Sequence, residues 1–250
     1  MKMKKIIVSI FCVLITLVTY SQLPQYVISN EWETDDQAKT EKLMNDWKNL
    51  ILEMDENAPR TFLLTEMDGN TVYFSQAFES MAAFEKWQKN WNENFRAEAR
   101  KKFREMNGEN AFEGTNTEFV MGHIFKMRPD LSYVPEGVNL MEELPKNRYR
   151  RHVTVDIGWG ERNAFEEMQK KQRENDIKLN NQYITLMLEP MFGGEDSGDY
   201  MMVILGESRA AYFNGLEERM KKRNADDEWK AMIETQVGTW IEEESLMITY

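Results

Sequence analysis

"ESMAAF", Glu79 to Phe84, recurs as "ESRAAY", Glu207 to Tyr212, at an offset of 128 residues. Each copy stands between the second arm of a hairpin pattern and a helical stretch. Outward from this echo the two halves of the 250-residue chain read alike. Trp32 and Trp159 echo each other at 127, each closing a first strand just before a helix. Two near-equal offsets between matching elements imply an internal duplication, and the period is too long for a solenoid.

In the first half, "QYVISNEW" (25–32) is expected to be a strand. A helix follows, with Leu43, Trp47, Leu50, Ile51 and Met54 on one face. Thr34 and Gln37 have capping-box spacing at its start. "RTFLLTEMDGNTVYFSQAF" (60–78) reads as a hairpin, with Asp68-Gly69 as its tight turn. A long helix carries Phe84, Trp87, Trp91, Phe95, Ala99 and Phe103, read as the face packed on the sheet; the alternative has some of them bordering a ligand cavity. "TEFVMGHIFKM" (117–127) closes the half as a strand. In the second half, "RHVTVDIGW" (151–159) is a strand and "NAFEEMQKKQRENDIKL" (163–179) a helix, with Asn163 as its expected cap. A hairpin spans 182–208, helical stretches lie within 209–237, and "EESLMITY" (243–250) is the last strand. Three of the six prolines fall between Arg128 and Asn147, which reads as a connection between the halves.

The predicted fold class is therefore α+β, two ferredoxin-like β-α-β-β-α-β units in tandem. The expected organisation is a leader at 1–21, one unit at 22–128, a linker at 129–147 and a second unit at 148–250. This plan resembles the dimeric α/β-barrel superfamily, in which two such units pack sheet to sheet and helices cover the outside. The resemblance rests on element order and duplication, not on a signature motif. It implies one pseudo-twofold α/β barrel. Relatives include cofactor-independent monooxygenases, haem enzymes and small isomerases, so fold sets only a weak expectation of function.

The N-terminus has its own pattern. Lys2, Lys4 and Lys5 precede an apolar run, Ile6 to Val18, and small residues stand before Gln22. This is a secretory signal pattern, with cleavage expected near Ser21/Gln22 and a secreted or periplasmic destination. Thirteen apolar residues make a helix of about 20 Å, too short for a ~30 Å hydrocarbon core. Cleavage removes three lysines and takes the formal charge from −12 to about −15. Such a surface disfavours nucleic acid and anionic membranes as partners. Cleavage also removes Cys12, the single cysteine, and with it disulfides, thiolate nucleophiles and cysteine-ligated metals.

Strand alternation nominates the residues facing a barrel interior. Val153, Val155, Ile157 and Trp159 form the apolar, helix-facing side, so His152, Thr154, Asp156 and Gly158 point inward. The offset of 127 carries this to Val27, Ser29 and Glu31. Phe119, Met121, His123, Phe125 and Met127 share one face, which alternation alone does not assign to lumen or exterior. His152, Thr154, Asp156, Ser29, Glu31 and His123 are the candidate ligand-binding residues. His152 and Asp156 lie about 13 Å apart along a strand and cannot bond directly.

No serine-nucleophile elbow, phosphate loop or dinucleotide fingerprint occurs. Met121, His123 and Met127 would need help from another strand to bind copper, and "GGEDSGD" (193–199) lacks the EF-hand order. No metal or cofactor is expected. The basic run Lys146, Arg148, Arg150 and Arg151 is expected to pair with nearby acids, or else to receive a carboxylate ligand. The expected function is binding of a small, partly apolar molecule between the two sheets. The alternatives are a cofactor-independent oxygenase or isomerase with His152 or Asp156 as general base, and a structural envelope protein with no ligand.

Overall fold

The structure is a computed structural model that describes residues 24–67, 69–192, 198–234 and 238–249. The expected leader, Asp68 of the predicted turn and residues 193–197 of the acidic loop lie outside the described residues. Eight strands form a closed antiparallel barrel in the order β1-β3-β2-β8-β5-β7-β6-β4. They are β1 (Tyr26–Glu33), β2 (Arg60–Glu66), β3 (Thr71–Phe78), β4 (Glu118–Met127), β5 (Tyr149–Asp156), β6 (Thr185–Phe192), β7 (Tyr200–Gly206) and β8 (Thr239–Thr249). The first four run β4-β1-β3-β2 and the last four β8-β5-β7-β6, which is one order repeated in corresponding strands. Two seams close the ring. Glu66 of β2 stands opposite Ser245 of β8, and Met127 of β4 opposite Leu188 of β6. The seams pair Leu63–Glu66 with β8 and Ile124–Met127 with β6, so each half covers part of the other's sheet edge.

The echo that opens the sequence is a pair of helix caps. Ser80 precedes α2 (Met81–Asn90; α1 is Gln37–Met54), and its side chain accepts from Ala83 N. Ser208 does the same for Ala211 N. Both caps have extended backbone, satisfying one of the free amides at a helix start. The tryptophan echo is different in kind. Trp32 lies inside β1, opposite Val72 and Phe119. Trp159 stands beyond the end of β5 and is 103 % exposed, not on the helix-facing side. The pairing Ser29↔Ser75 in the first half corresponds to His152↔Val203 in the second. The β1-to-β5 offset is thus 123, not 127. The difference of four is even, so the inward and outward sets keep their parity.

Two further cap expectations are corrected. Asp36, not Thr34, caps α1, accepting from Lys39 N. Thr34 is buried and bonds the Thr40 hydroxyl at 2.7 Å and the Thr115 carbonyl at 3.1 Å. Asn163 lies inside its helix, whose cap residue is Glu161.

The aromatic stripe continues from α2 through a π turn (Trp91–Phe95) into α3 (Arg96–Asn107). From Trp87 onward its members recur every four residues, and an α-helix would drift by about 40° at each step. The π turn, closed by Arg96 N to Trp91 O, absorbs one residue and reduces that drift. Trp91 and Ala99 pack with Met44, Ile51, Leu63, Val72 and Phe74 in the outer core of the first half. None of the six stripe residues lines the barrel interior.

After α4 (Leu140–Glu143) the second half carries α5 (Arg162–Lys178), α6 (Arg209–Asn224) and α7 (Asp227–Ile233). Its outer core joins Val153, Val155, Phe165, Met168, Tyr200 and Trp229. Residues 129–147 carry Leu131 into that core, while Leu140 packs with Phe125, Met127, Leu186 and Leu205 at one end of the barrel. No described helix is long and apolar enough to cross a membrane.

Candidate functional site

Inward-facing side chains leave a lumenal cavity of about 400 Å³. Its register follows from strand pairing. Ser29 of β1 lies between His123 of β4 and Ser75 of β3, and Glu31 between Met121 and Tyr73. Across the barrel, His152 of β5 lies between Glu243 of β8 and Val203 of β7. Thr154 and Met201 continue that face. One wall is apolar, with Phe125, Met127, Leu186, Leu188, Val203 and Leu205. The other is polar, with Ser29, Ser75, Glu31, Tyr73, His152 and Ser245. Leu140 and Leu144 cover one end of the lumen. At the other end the lining residue Val120 is 43 % exposed, and Glu243 is exposed too.

Five of the six candidate residues line this cavity: Ser29, Glu31, His123, His152 and Thr154. The sixth does not. Asp156 is the last residue of β5, exposed at the barrel rim and absent from the lining, although strand parity points it inward. A face assignment says nothing about height along the axis. Of the face left open by alternation, Met121, His123, Phe125 and Met127 are lumenal; Phe119 is not, because the register shifts at Glu31/Trp32 and it packs against Trp32 instead.

The lumenal polar groups are bonded in pairs. His123 Nε2 donates to Glu31 Oε2 at 2.8 Å, and the imidazole stacks on Phe125 at 5.6 Å. The hydroxyls of Ser29 and Ser75 bond at 2.8 Å. His152 Nε2 and Ser245 Oγ share a bond of 2.7 Å. Sequence reasoning missed Ser245, because β8 lies 93 positions from His152 and the register between them is non-local. This serine–histidine contact is a poor nucleophile pair. Burial, then repulsion from Arg150, pushes the His152 imidazole down to about 4. A base that weak takes little proton at neutral pH. Ser245 itself is 2 % exposed.

Tyr73 was also missed, although alternation in the hairpin gives it the parity of Ser75. Its hydroxyl donates to Glu66 Oε1 at 3.4 Å. Burial pushes the phenol far above its ordinary range, and Glu31, Glu66 and Glu243 push it further. Of the basic run, Lys146 pairs with Glu143 at 2.7 Å and Arg151 with Glu242. Arg148 donates to the Met247 carbonyl. Arg150 is buried, lines the lumen and donates to the carbonyls of Tyr149 and Leu144.

Among the described residues no group of three or more His, Cys, Asp or Glu is placed to hold a metal ion. The chain's two histidines sit on strands, and both Nε2 atoms are already bonded.

No protein-family model and no curated protein matches the chain. Solved structures do match. A proposed monooxygenase from Lactobacillus acidophilus NCFM aligns over 89 % of this chain and 94 % of its own, at 8 % identity and a TM-score of 0.54. A proposed monooxygenase from Fusobacterium nucleatum subsp. nucleatum covers 91 % and 94 %, at 12 % identity and 0.54. An anthrone oxidase-like protein covers 91 % and 93 %, at 13 % identity and 0.53. Identities this low establish likeness of fold alone: this chain is an α+β barrel similar in architecture to those three proteins.

Proposed function

We propose that this is a secreted or periplasmic protein whose two tandem ferredoxin-like units hold a small, partly apolar molecule in the barrel lumen. Duplication is supported by the common strand order and the paired serine caps 128 residues apart. Secretion is supported by the basic and apolar pattern of residues 1–21. The observation that carries the binding reading is the lumen itself. About 400 Å³ bounded by one apolar and one polar wall is the usual form of a small-ligand site.

The test uses 1-aminoanthracene as a fluorescent probe. Val203→Phe adds bulk to the waist of the cavity and is expected to weaken probe binding at least ten-fold. Binding unchanged in that variant would place the probe elsewhere and remove the lumen reading. A native mass spectrum of protein from the host should show a chain beginning at Gln22 together with a co-purifying organic mass.

A second reading, proton abstraction in an oxygenase of the barrel type, is favoured by the His123–Glu31 contact. The base would then be His123, oriented by a carboxylate, and not His152 or Asp156. Anthrone is a suitable probe, being the compound class named by one structural neighbour. Anthrone-dependent oxygen uptake that is lost in His123→Gln would favour catalysis over simple binding.

A further inference from the structure

We infer that the lumen selects organic cations: an amine or quaternary ammonium head beside Glu31, Glu66, Glu243 and Tyr73, with an apolar body along Phe125, Leu188 and Val203. This deepens the binding reading above and rests on it.

Charge is unevenly placed in the cavity. Four glutamates line it together with Tyr73: Glu31 of β1, Glu66 of β2, and Glu243 and Glu244 of β8, of which Glu244 is paired with Arg209 and Arg151. Glu31 stands opposite Tyr73 in the β1–β3 register, and the Tyr73 hydroxyl reaches Glu66. That Glu31, Glu66 and Glu243 all raise the affinity of this one phenol for its proton is a further sign that they converge on it. The lining cations stand apart. Arg60 and Glu66 begin and end the same strand, about 20 Å apart at strand rise. The Arg150 guanidinium reaches the Leu144 carbonyl, at the end that the crossover covers. The electrostatic field therefore runs along the lumen, negative toward the end where Glu243 and Val120 are exposed.

A second class of group supports the same ligand. Phe62, Tyr73 and Phe125 present aromatic side chains to the lumen. Aromatic faces attract ammonium groups, more strongly where water is excluded. Carboxylates and aromatic faces around an apolar cavity suit an organic cation. A metal ion would need its ligands gathered at one point, and no such group occurs among the described residues.

The test compares three probes that share an eight-carbon chain, octyltrimethylammonium, 1-octanol and octanoate, by calorimetric titration of the purified protein. The cation is expected to bind at least ten-fold more tightly than octanoate, with octanol between them. Glu31→Gln, which keeps an acceptor for His123, and Glu243→Gln at an exposed position should each weaken the cation several-fold and leave octanol unchanged. Val203→Phe should weaken all three, which separates lumenal binding from adsorption to an acidic surface. Octanoate bound as tightly as the cation, or a cation affinity indifferent to both glutamine variants, would overturn the charge selection while leaving the lumen as a binding site. Failure of all three probes to bind would overturn the lumen reading as well.

Discussion

His152 couples the lumen to pH. Its imidazole is pushed from 6.5 to about 4 by burial and by Arg150. Above pH 6.5 the group is neutral in both folded and unfolded chains and contributes no pH dependence. As pH falls from 6.5 toward 4, the unfolded chain takes the proton first and the folded state loses stability. At 1.36 kcal/mol per pKa unit the loss is at most about 3 kcal/mol. His152→Gln can keep a bond to Ser245 and cannot titrate. Between pH 7 and pH 4.5 the urea midpoint of the wild type should therefore fall further than that of the variant. Equal falls would show that His152 is not the responsible group. The bonded partner of His123 is the Glu31 carboxylate, and that of His152 is the Ser245 hydroxyl. The sequence nominates both histidines but cannot assign these partners.

At the scale of elements, the serine caps should be energetic as well as geometric equivalents. Ser80→Ala and Ser208→Ala each leave one helix-start amide without its side-chain acceptor. Each is expected to cost about 1 kcal/mol, and the double variant about the sum, because the sites lie on separate helices. Thermal melts would measure this, and a negligible loss at either site would break the equivalence. The elements themselves were readable wherever pattern is local. Helix faces, strand alternation and the hairpins of both halves follow from periods of 3.6 and 2. Caps were less readable, because several polar residues compete for one helix start. Thr34 is drawn to Thr40 and Thr115 in the tertiary structure, which leaves Asp36 to cap. The π turn has a visible signal, a stripe whose spacing of four is too wide for an unbroken α-helix.

For the whole molecule, the seams β2–β8 and β4–β6 make each half the edge cover of the other. Opening one half would expose strand edges on both, so the halves should unfold together. Trp47, Trp87 and Trp91 report on the first half, and Trp229 and Trp240 on the second. Tryptophan fluorescence and far-ultraviolet dichroism should therefore trace one coincident transition in denaturant. Two separated transitions would mean that the seams contribute little to cooperativity.

Local pattern was enough to establish element order, the α+β class and the inward face of β1 and β5. Side-chain direction repeats every two residues, so an error of four in the offset left those faces intact. The same pattern could not place Asp156 at the rim, turn Trp159 out to solvent, or bring Ser245 to His152 and Tyr73 among three carboxylates. The histidine contacts in the lumen join residues far apart in the chain, 92 positions for His123 with Glu31 and 93 for His152 with Ser245. Their height along the barrel is set by how eight strands align when the ring closes, and a two-residue period carries no record of that alignment.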